Sequence, residues 1–315
     1  MKKTLVIIMC LLLSACAPSK KEEENQSSNR AKIDINGQIS EFDIISGATT
    51  GKVEGPAFKG DEKAERMKWS GRPKIGLIEG DYTFDSLNFN GGYLATVAII
   101  QDSKTKDIIS VRFDEKAPEN YYAPEWRNQT KRTSGYANWQ MENERTDVSL
   151  VTIVNAMTYL ESQVLENNSV TGDFKNPKGA STSAVEGFIP LLAQVEPKLK
   201  SPSPLKIVSV TRELGGGIFG SLQVVYNKET NKIVDFHYDE FFADEKDEIT
   251  EETLQKYYRQ SKYQSLSYLT DTNSSFKDDV NKYRSSIVDE EKLRESDTLG
   301  DGFNKIVNEI NNYSK

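Results

Sequence analysis

Residues 91–115 read GGYLATVAIIQDSKTKDIISVRFDE, and residues 216–240 read GGIFGSLQVVYNKETNKIVDFHYDE. The two align without a gap: both open Gly-Gly, both close Asp-Glu, and Thr105 and Ile108 meet Thr230 and Ile233. Each reads as a strand, a polar turn (DSKTKD or NKETNK) and a second strand, which is a β-hairpin. In the second strand Ile109, Val111 and Phe113 alternate with Ser110 and Arg112, and Val234, Phe236 and Tyr238 alternate with Asp235 and His237. A period of two of this kind predicts an antiparallel sheet covered on one face only.

The likeness continues outward from the hairpins. Trp126-Arg127-Asn128-Gln129 has a counterpart in Tyr258-Arg259-Gln260-Ser261, and Tyr136 in Tyr268. Both repeats run on into apolar residues at helical spacing, over 148–160 in the first and at Phe303, Ile306, Val307 and Ile310 in the second. Between them, PKLKSPSP over 197–204 stops the helix expected from Ile189-Pro190-Leu191-Leu192 and marks a boundary. The expectation is an α+β chain: two tandem domains, 80–197 and 205–315, each a small antiparallel sheet with helices on one face. A motif-bearing arm over 33–79 and a polar tether over 16–32 precede them; the tether lacks the apolar residues needed to fold.

The amino terminus reads as an export signal. Lys2 and Lys3 lead into the apolar run 5–13, too short for a membrane-spanning helix, which needs about 20 residues. Leu13-Ser14-Ala15-Cys16 resembles a bacterial lipobox, which implies cleavage after residue 15 and a diacylglycerol on the Cys16 thiol. Cys10 leaves with the signal, so the mature chain carries no free thiol, disulfide or thiolate metal site. With His237 the only histidine, a histidine triad and a multi-histidine metal centre are nearly excluded. His237 itself is expected on the solvated rim of a strand. The formal net charge of −8 argues against a nucleic-acid partner.

Residues 43–49, DIISGAT, carry the chemistry. They resemble the flavinylation signature Asp-x-x-Ser/Thr-Gly-Ala-Thr/Ser of FMN-binding-domain proteins. By that resemblance Thr49 is the hydroxyl that takes FMN through a phosphoester, with Asp43, Ser46, Gly47 and Ala48 as its frame. Gly47 and Ala48 let the backbone approach a bulky nucleotide. As a bare sequence, Gly-Ala-Thr is also a good turn after a strand. The repeats resemble the FMN-binding domains of Gram-positive surface lipoproteins of the pheromone-precursor and extracellular-electron-transfer kind, through the hairpin, 126–136, 148–166 and 179–192. The second copy, about 205–313, is weaker.

The sequence departs from that family where the motif normally opens the last helix. There the first repeat has KNPKGAST over 175–182. Gly179, Ala180 and Ser181 remain, making Ser181 a second candidate acceptor, but lysines replace the aspartate and the small hydroxyl. Hydroxyls at Ser181, Thr182 and Ser183 at a helix start also suit a non-covalently bound phosphate. In the second repeat the matching stretch reads as 296–303, with Asp301 and Gly302 in place of alanine and acceptor. The complete motif lies ahead of both repeats, either on a free arm or packed into the first domain. Tyr121, Tyr122, Trp126, Tyr136 and Trp139, and Trp69 nearer the motif, are the aromatic residues able to stack on a flavin.

Two functions are open at this point. One is an FMN-bearing electron carrier at the outer face of the cell membrane, loaded by a flavin transferase and supplied by a membrane electron donor. It is a carrier rather than an enzyme with its own substrate. The other is a flavin-free surface lipoprotein that binds a ligand or partner, its signal peptide released as a pheromone. In both, Cys16→Ser abolishes labelling by radioactive palmitate and moves the protein from the membrane to the soluble fraction.

Overall fold

The computed structural model describes residues 29–35, 38–45, 69–142, 152–177 and 182–313. Cys16 lies outside them. The architecture is α+β: strands β3 (Gly76–Phe89), β4 (Tyr93–Gln101) and β5 (Ile108–Lys116) belong to the first repeat, and β7 (Leu205–Gly215), β8 (Ile218–Asn227) and β9 (Ile233–Phe242) to the second. The turns of the two hairpins fold alike. Asp102 Oδ1 accepts the amides of Lys104 and Thr105, and Asn227 Oδ1 those of Glu229 and Thr230. Lys106 and Asn231 close the turns in left-handed backbone, with φ of 66° and 55°.

The repeats do not form two separate sheets. All pairings are antiparallel in one six-stranded sheet of order β5-β4-β3-β7-β8-β9. The join is β3, long enough to pair with β4 over its second half (Asp81 to Phe89) and with β7 over its first (Gly76 to Asp81). The helix before the linker runs through Pro197 to Leu199, and the linker after it separates two helical covers while hydrogen bonding runs on across the repeats.

Both covers lie on one face. Leu77, at one end of β3, packs into the second core, while Leu87 and Phe89, an even number of residues on, pack into the first. Helix α2 (Ile153–Asn167) and helix α3 (Ile189–Leu199) lie over Val97, Ile99, Val111 and Phe113. Helix α5 (Phe276–Ile287) and helix α6 (Gly300–Tyr313) lie over Val210, Leu222, Val224 and Tyr238. A capping box starts α2: Thr152 Oγ1 accepts the Asn155 amide and Asn155 Oδ1 accepts that of Thr152. Short helices α1 (Tyr136–Glu142) and α4 (Leu266–Asp271) follow the two hairpins.

The alternation expected in β5 and β9 fails at the first position. Ile109 and Val234 are each 39% exposed, and Ile108 and Ile233 are buried instead. A register shift between Ile100 and Gln101, and another between Val225 and Tyr226, moves each strand by one residue just there.

On the opposite face Ile78, Tyr82, Ile100, Ile207 and Val225 form a smaller cluster. The two edges of the sheet are tied on this side. The chain after β5 bridges back at Thr130 to Lys116, and the chain after β9 at Ser261 to Phe241. The two returning segments meet where the Ser261 amide donates to the Thr133 carbonyl at 3.0 Å. A second, three-stranded sheet has the order β1-β2-β6, with β1 (Asn29–Ile35), β2 (Gln38–Ile45) and β6 (Asn176–Pro177).

Asp81 stands at the centre of the join and is 3% exposed. Its carboxylate accepts from Ser103 Oγ at 2.6 Å, Lys106 Nζ at 2.7 Å and Lys228 Nζ at 2.7 Å, so turns from both repeats converge on it. Burial works to raise its pKa, but the bonds from Lys106, Lys228 and Ser103 outweigh this and hold it at about 2. A carboxyl depressed in the folded state stabilises fully above its unfolded value and loses that contribution as pH falls through its folded value. Asp81→Asn therefore costs about 2 kcal/mol at neutral pH, and the wild-type protein, unlike the variant, loses this margin between pH 3.8 and about 2. Urea unfolding across that range checks both; identical midpoints at neutral pH refute the pin.

Candidate functional site

The aromatic residues picked out beyond β5 converge. After Ala117 the chain turns through a 3-10 segment, Pro124–Trp126, and enters α1. Trp126, Tyr136 and Trp139 pack with ring centroids 5.2–5.9 Å apart, and Tyr122 lies 4.5 Å from Tyr121 and 6.2 Å from Trp139. Tyr122 is 59% exposed, so the cluster presents an aromatic face to solvent. Trp126 is only half-buried, yet its indole N–H is shielded from solvent and has no acceptor among the described residues. An aromatic platform with an unspent donor fits a flat heteroaromatic ring carrying carbonyl and nitrogen acceptors.

Beneath the platform lies a buried ion pair. Lys131 Nζ is 2.5 Å from Glu115 Oε1, and the pair is almost solvent-free. Tyr93, Tyr121 and Tyr136 surround the ammonium at 4.6, 5.2 and 4.9 Å from their ring centroids. The phenols of Tyr121 and Tyr136 share a hydrogen bond of 2.7 Å. Desolvation pushes both well above the usual tyrosine range, so they remain protonated and neutral. Glu115 Oε2 has no partner among the described residues.

The platform adjoins the helix start through Tyr93. Its ring stacks on Phe89 at 5.4 Å. A side chain on Gly187 would meet the Phe89 ring at 2.8 Å, so glycine is what lets the two elements touch. Gly187 belongs to a π-helical turn, Ser183–Phe188, that runs into α3. Such turns concentrate at functional sites.

Of the motif residues, Asp43 lies in β2 opposite Arg30. Ser46, Gly47, Ala48 and Thr49 lie outside the described residues, as do Gly179, Ala180 and Ser181. The flanking strands are paired, however: Ile44 faces Pro177 and Ile45 faces Asn176. The strand leading into the complete motif is thus hydrogen-bonded to the strand that leads into the degenerate one.

The structure corrects several equivalences. Asn128 and Arg259 both have left-handed backbone, and Gln129 and Gln260 donate to the carbonyls of Trp126 and Tyr257. Tyr257, not Tyr258, is therefore the counterpart of Trp126. Lys262 then matches Lys131, and it pairs with Glu240 at 2.6 Å. Gly302 would strike Leu214 as Gly187 strikes Phe89, and Phe303 enters its core as Phe188 does. Aligned on these contacts, Ser181 matches Ser296 rather than Gly302. A hydroxyl is thus present, but the Ser296 Oγ is spent on the turn before α6, where it accepts the Leu299 amide.

One other expectation also changes. Trp69 is 2% exposed and lies under the Arg259 guanidinium at 4.7 Å, so it is a core residue with no face free for stacking. His237 is half-buried and packs edge-on against Tyr263 at 5.3 Å. Desolvation lowers its pKa to about 4, leaving it neutral near pH 7. Among the described residues there is no cluster able to hold a metal ion, and no helix is long and apolar enough to cross a membrane. No protein-family model, curated protein or solved structure matches the chain.

Removing one partner of the buried pair strands the other in a dry site. Lys131→Met is expected to cost about 3–5 kcal/mol, and Lys131→Met combined with Glu115→Gln to recover most of it. Lys262→Met should cost less, because the Lys262–Glu240 pair is more open to water. Urea melts of the four proteins check this; equal losses for Lys131→Met and Lys262→Met count against a specially dry first site.

Proposed function

We propose that this protein is a membrane-anchored, extracytoplasmic FMN-binding lipoprotein. It carries FMN on Thr49 and passes electrons at the cell surface from a membrane donor. What supports the reading is the pairing of β2 with β6, which joins the strand before the complete motif to the domain that bears the aromatic platform. The tether expected over 16–32, of which residues 29–32 belong to β1, leaves the stretch before Asn29 to give reach from the anchor at Cys16. On this reading the Thr49 hydroxyl attacks the FMN-side phosphorus of FAD in a transferase, the phosphoanhydride breaks, AMP leaves and the hydroxyl proton is released. Tyr122, Trp126 and Trp139 offer stacking faces, and the free indole N–H of Trp126 offers a donor. When bound, the flavin itself supplies the redox chemistry.

A flavin-free binding role is the second reading. It is favoured by the lysines at 175 and 178 and, in the second repeat, by Arg294 and Glu295 where the motif has glycine and alanine before Ser296, which place charge inside both late motifs. Co-production with a flavin transferase separates the two. The wild-type chain is expected to gain the mass of one FMN less water and to turn yellow, and Thr49→Ala to stay colourless and unmodified. A colourless wild-type chain of unmodified mass refutes the carrier. Modification that persists in Thr49→Ala and vanishes in Ser181→Ala moves the acceptor to the helix start.

A further inference from the structure

Away from the aromatic platform, a cavity of about 190 Å³ opens between the second face of the sheet, the flank of α2 and the segment 70–74. Its floor is apolar, made by Ile78, Tyr82, Ile100 and Ile207. Its wall is cationic: Arg72, Lys74, Arg112 and Arg132 line it against one carboxylate, Glu161. In a chain of net charge −8, that local excess of positive charge is distinctive.

The cations differ in how far they are neutralised. Arg132 is 5% exposed and spends both terminal nitrogens on Glu161, at 2.5 and 3.0 Å. Arg72 is 3.4 Å from Asp244. Arg112 donates to the Gly71 carbonyl at 2.5 Å, and no carboxylate among the described residues lies within ion-pair distance of it. Nor does any pair with Lys74. Three buried polar atoms at the lining, Ser70 Oγ, Arg72 Nε and Arg132 Nε, also have no hydrogen-bond partner among the described residues. Ser70 is 6% exposed, so its hydroxyl is not turned to bulk solvent.

Burial, and next the neighbouring Arg132, lower the Arg112 guanidinium to about 9, against the pull of Glu161, Asp114 and Asp239. Desolvation in turn lifts Asp239 to about 7, which weakens it as a counter-charge near neutral pH, and shifts Asp114 upward. A guanidinium does not give up its proton in a protein. The conflict is relieved when an anion is added beside it.

We propose that this cavity is a binding site for a small organic carboxylate, its apolar body on Ile78, Tyr82, Ile100 and Ile207 and its carboxylate on Arg112, with Lys74 at the mouth. An apolar cavity of about 150 Å³ takes up benzene, so this one admits a body of that size plus a carboxylate. A planar guanidinium fork matches a planar carboxylate, and the pairing is strongest where water is scarce. Nothing here depends on flavin, so the site stands or falls separately from the electron carrier.

Benzoate is the probe, titrated calorimetrically into the purified full chain made without a flavin transferase, with benzyl alcohol as its neutral match. Benzoate is expected to bind at one site per chain, and benzyl alcohol about tenfold or more weakly, a loss near 1.4 kcal/mol. Ala98→Leu, which fills the cavity from its lining, and Lys74→Glu, at an exposed position, should each weaken benzoate at least several-fold with the melting temperature little changed. Arg112→Gln should abolish saturable binding. The proposal is overturned by no saturable binding up to about 10 mM, by benzyl alcohol matching benzoate, or by Ala98→Leu and Lys74→Glu both binding as wild type.

Discussion

One buried carboxylate holds the two repeats in register. Asp81 lies on the only strand shared between them, where β3 stops pairing with β7 and starts pairing with β4. Its three donors come from the two hairpin turns, Ser103 and Lys106 from one and Lys228 from the other. A one-residue slip of β3 would turn Asp81 to the opposite face and take it from all three donors. The same slip would carry Leu77, Leu87 and Phe89 away from both helical cores. The hydrogen-bonded centre and the apolar periphery thus specify one register.

That continuity explains why the second face is enclosed. A sheet of this length twists, and here its edges are tied by the returning segments that meet at Thr133 and Ser261. Side chains from opposite edges then share one environment. Arg112 of β5 feels Asp239 and His237 of β9, although four strands lie between β5 and β9 in the sheet. The low pKa of His237, the raised one of Asp239 and the uncompensated charge of Arg112 share this origin: polar positions of edge strands placed where water is scarce.

How much of this was legible in the sequence depended on the range of the interaction. The hairpins were, because alternation and the Asp102 and Asn227 turns act within a few residues. The aromatic cluster was too, since its members lie within one short stretch. The union of the repeats was not, because the β3–β7 pairing joins segments far apart in the chain and no local pattern in β7 names its neighbour. Matching by residue type misplaced Tyr258 and Gly302, as the spacing between repeats changes after each hairpin. Left-handed residues and glycine contacts restore the alignment, and only coordinates show those. The bulges that expose Ile109 and Val234 have the same character: a shift of one residue leaves no mark on composition.

The restored alignment also shows why the halves differ in what they can bind. Ala117 of the first repeat corresponds to Phe242 of the second, each two residues beyond the glutamate of the Lys–Glu pair. The Phe242 ring packs 5.6 Å from Tyr257 and 5.4 Å from Tyr268, so the second repeat fills this space with its own side chains. Alanine leaves it open in the first, and Tyr121, Tyr136 and Trp126 gather there instead, with Tyr122 at the surface. The second ion pair is also sealed less tightly: Lys262 and Glu240 keep 18% and 12% of their side-chain surface, Lys131 and Glu115 only 7% and 0%. A pair so nearly dry is costly unless the rings around it hold the ammonium. The first repeat therefore combines an open aromatic surface with a rigid, charged support beneath it. The second has exchanged that combination for a closed core, and in the shared sheet it braces the half that remains open.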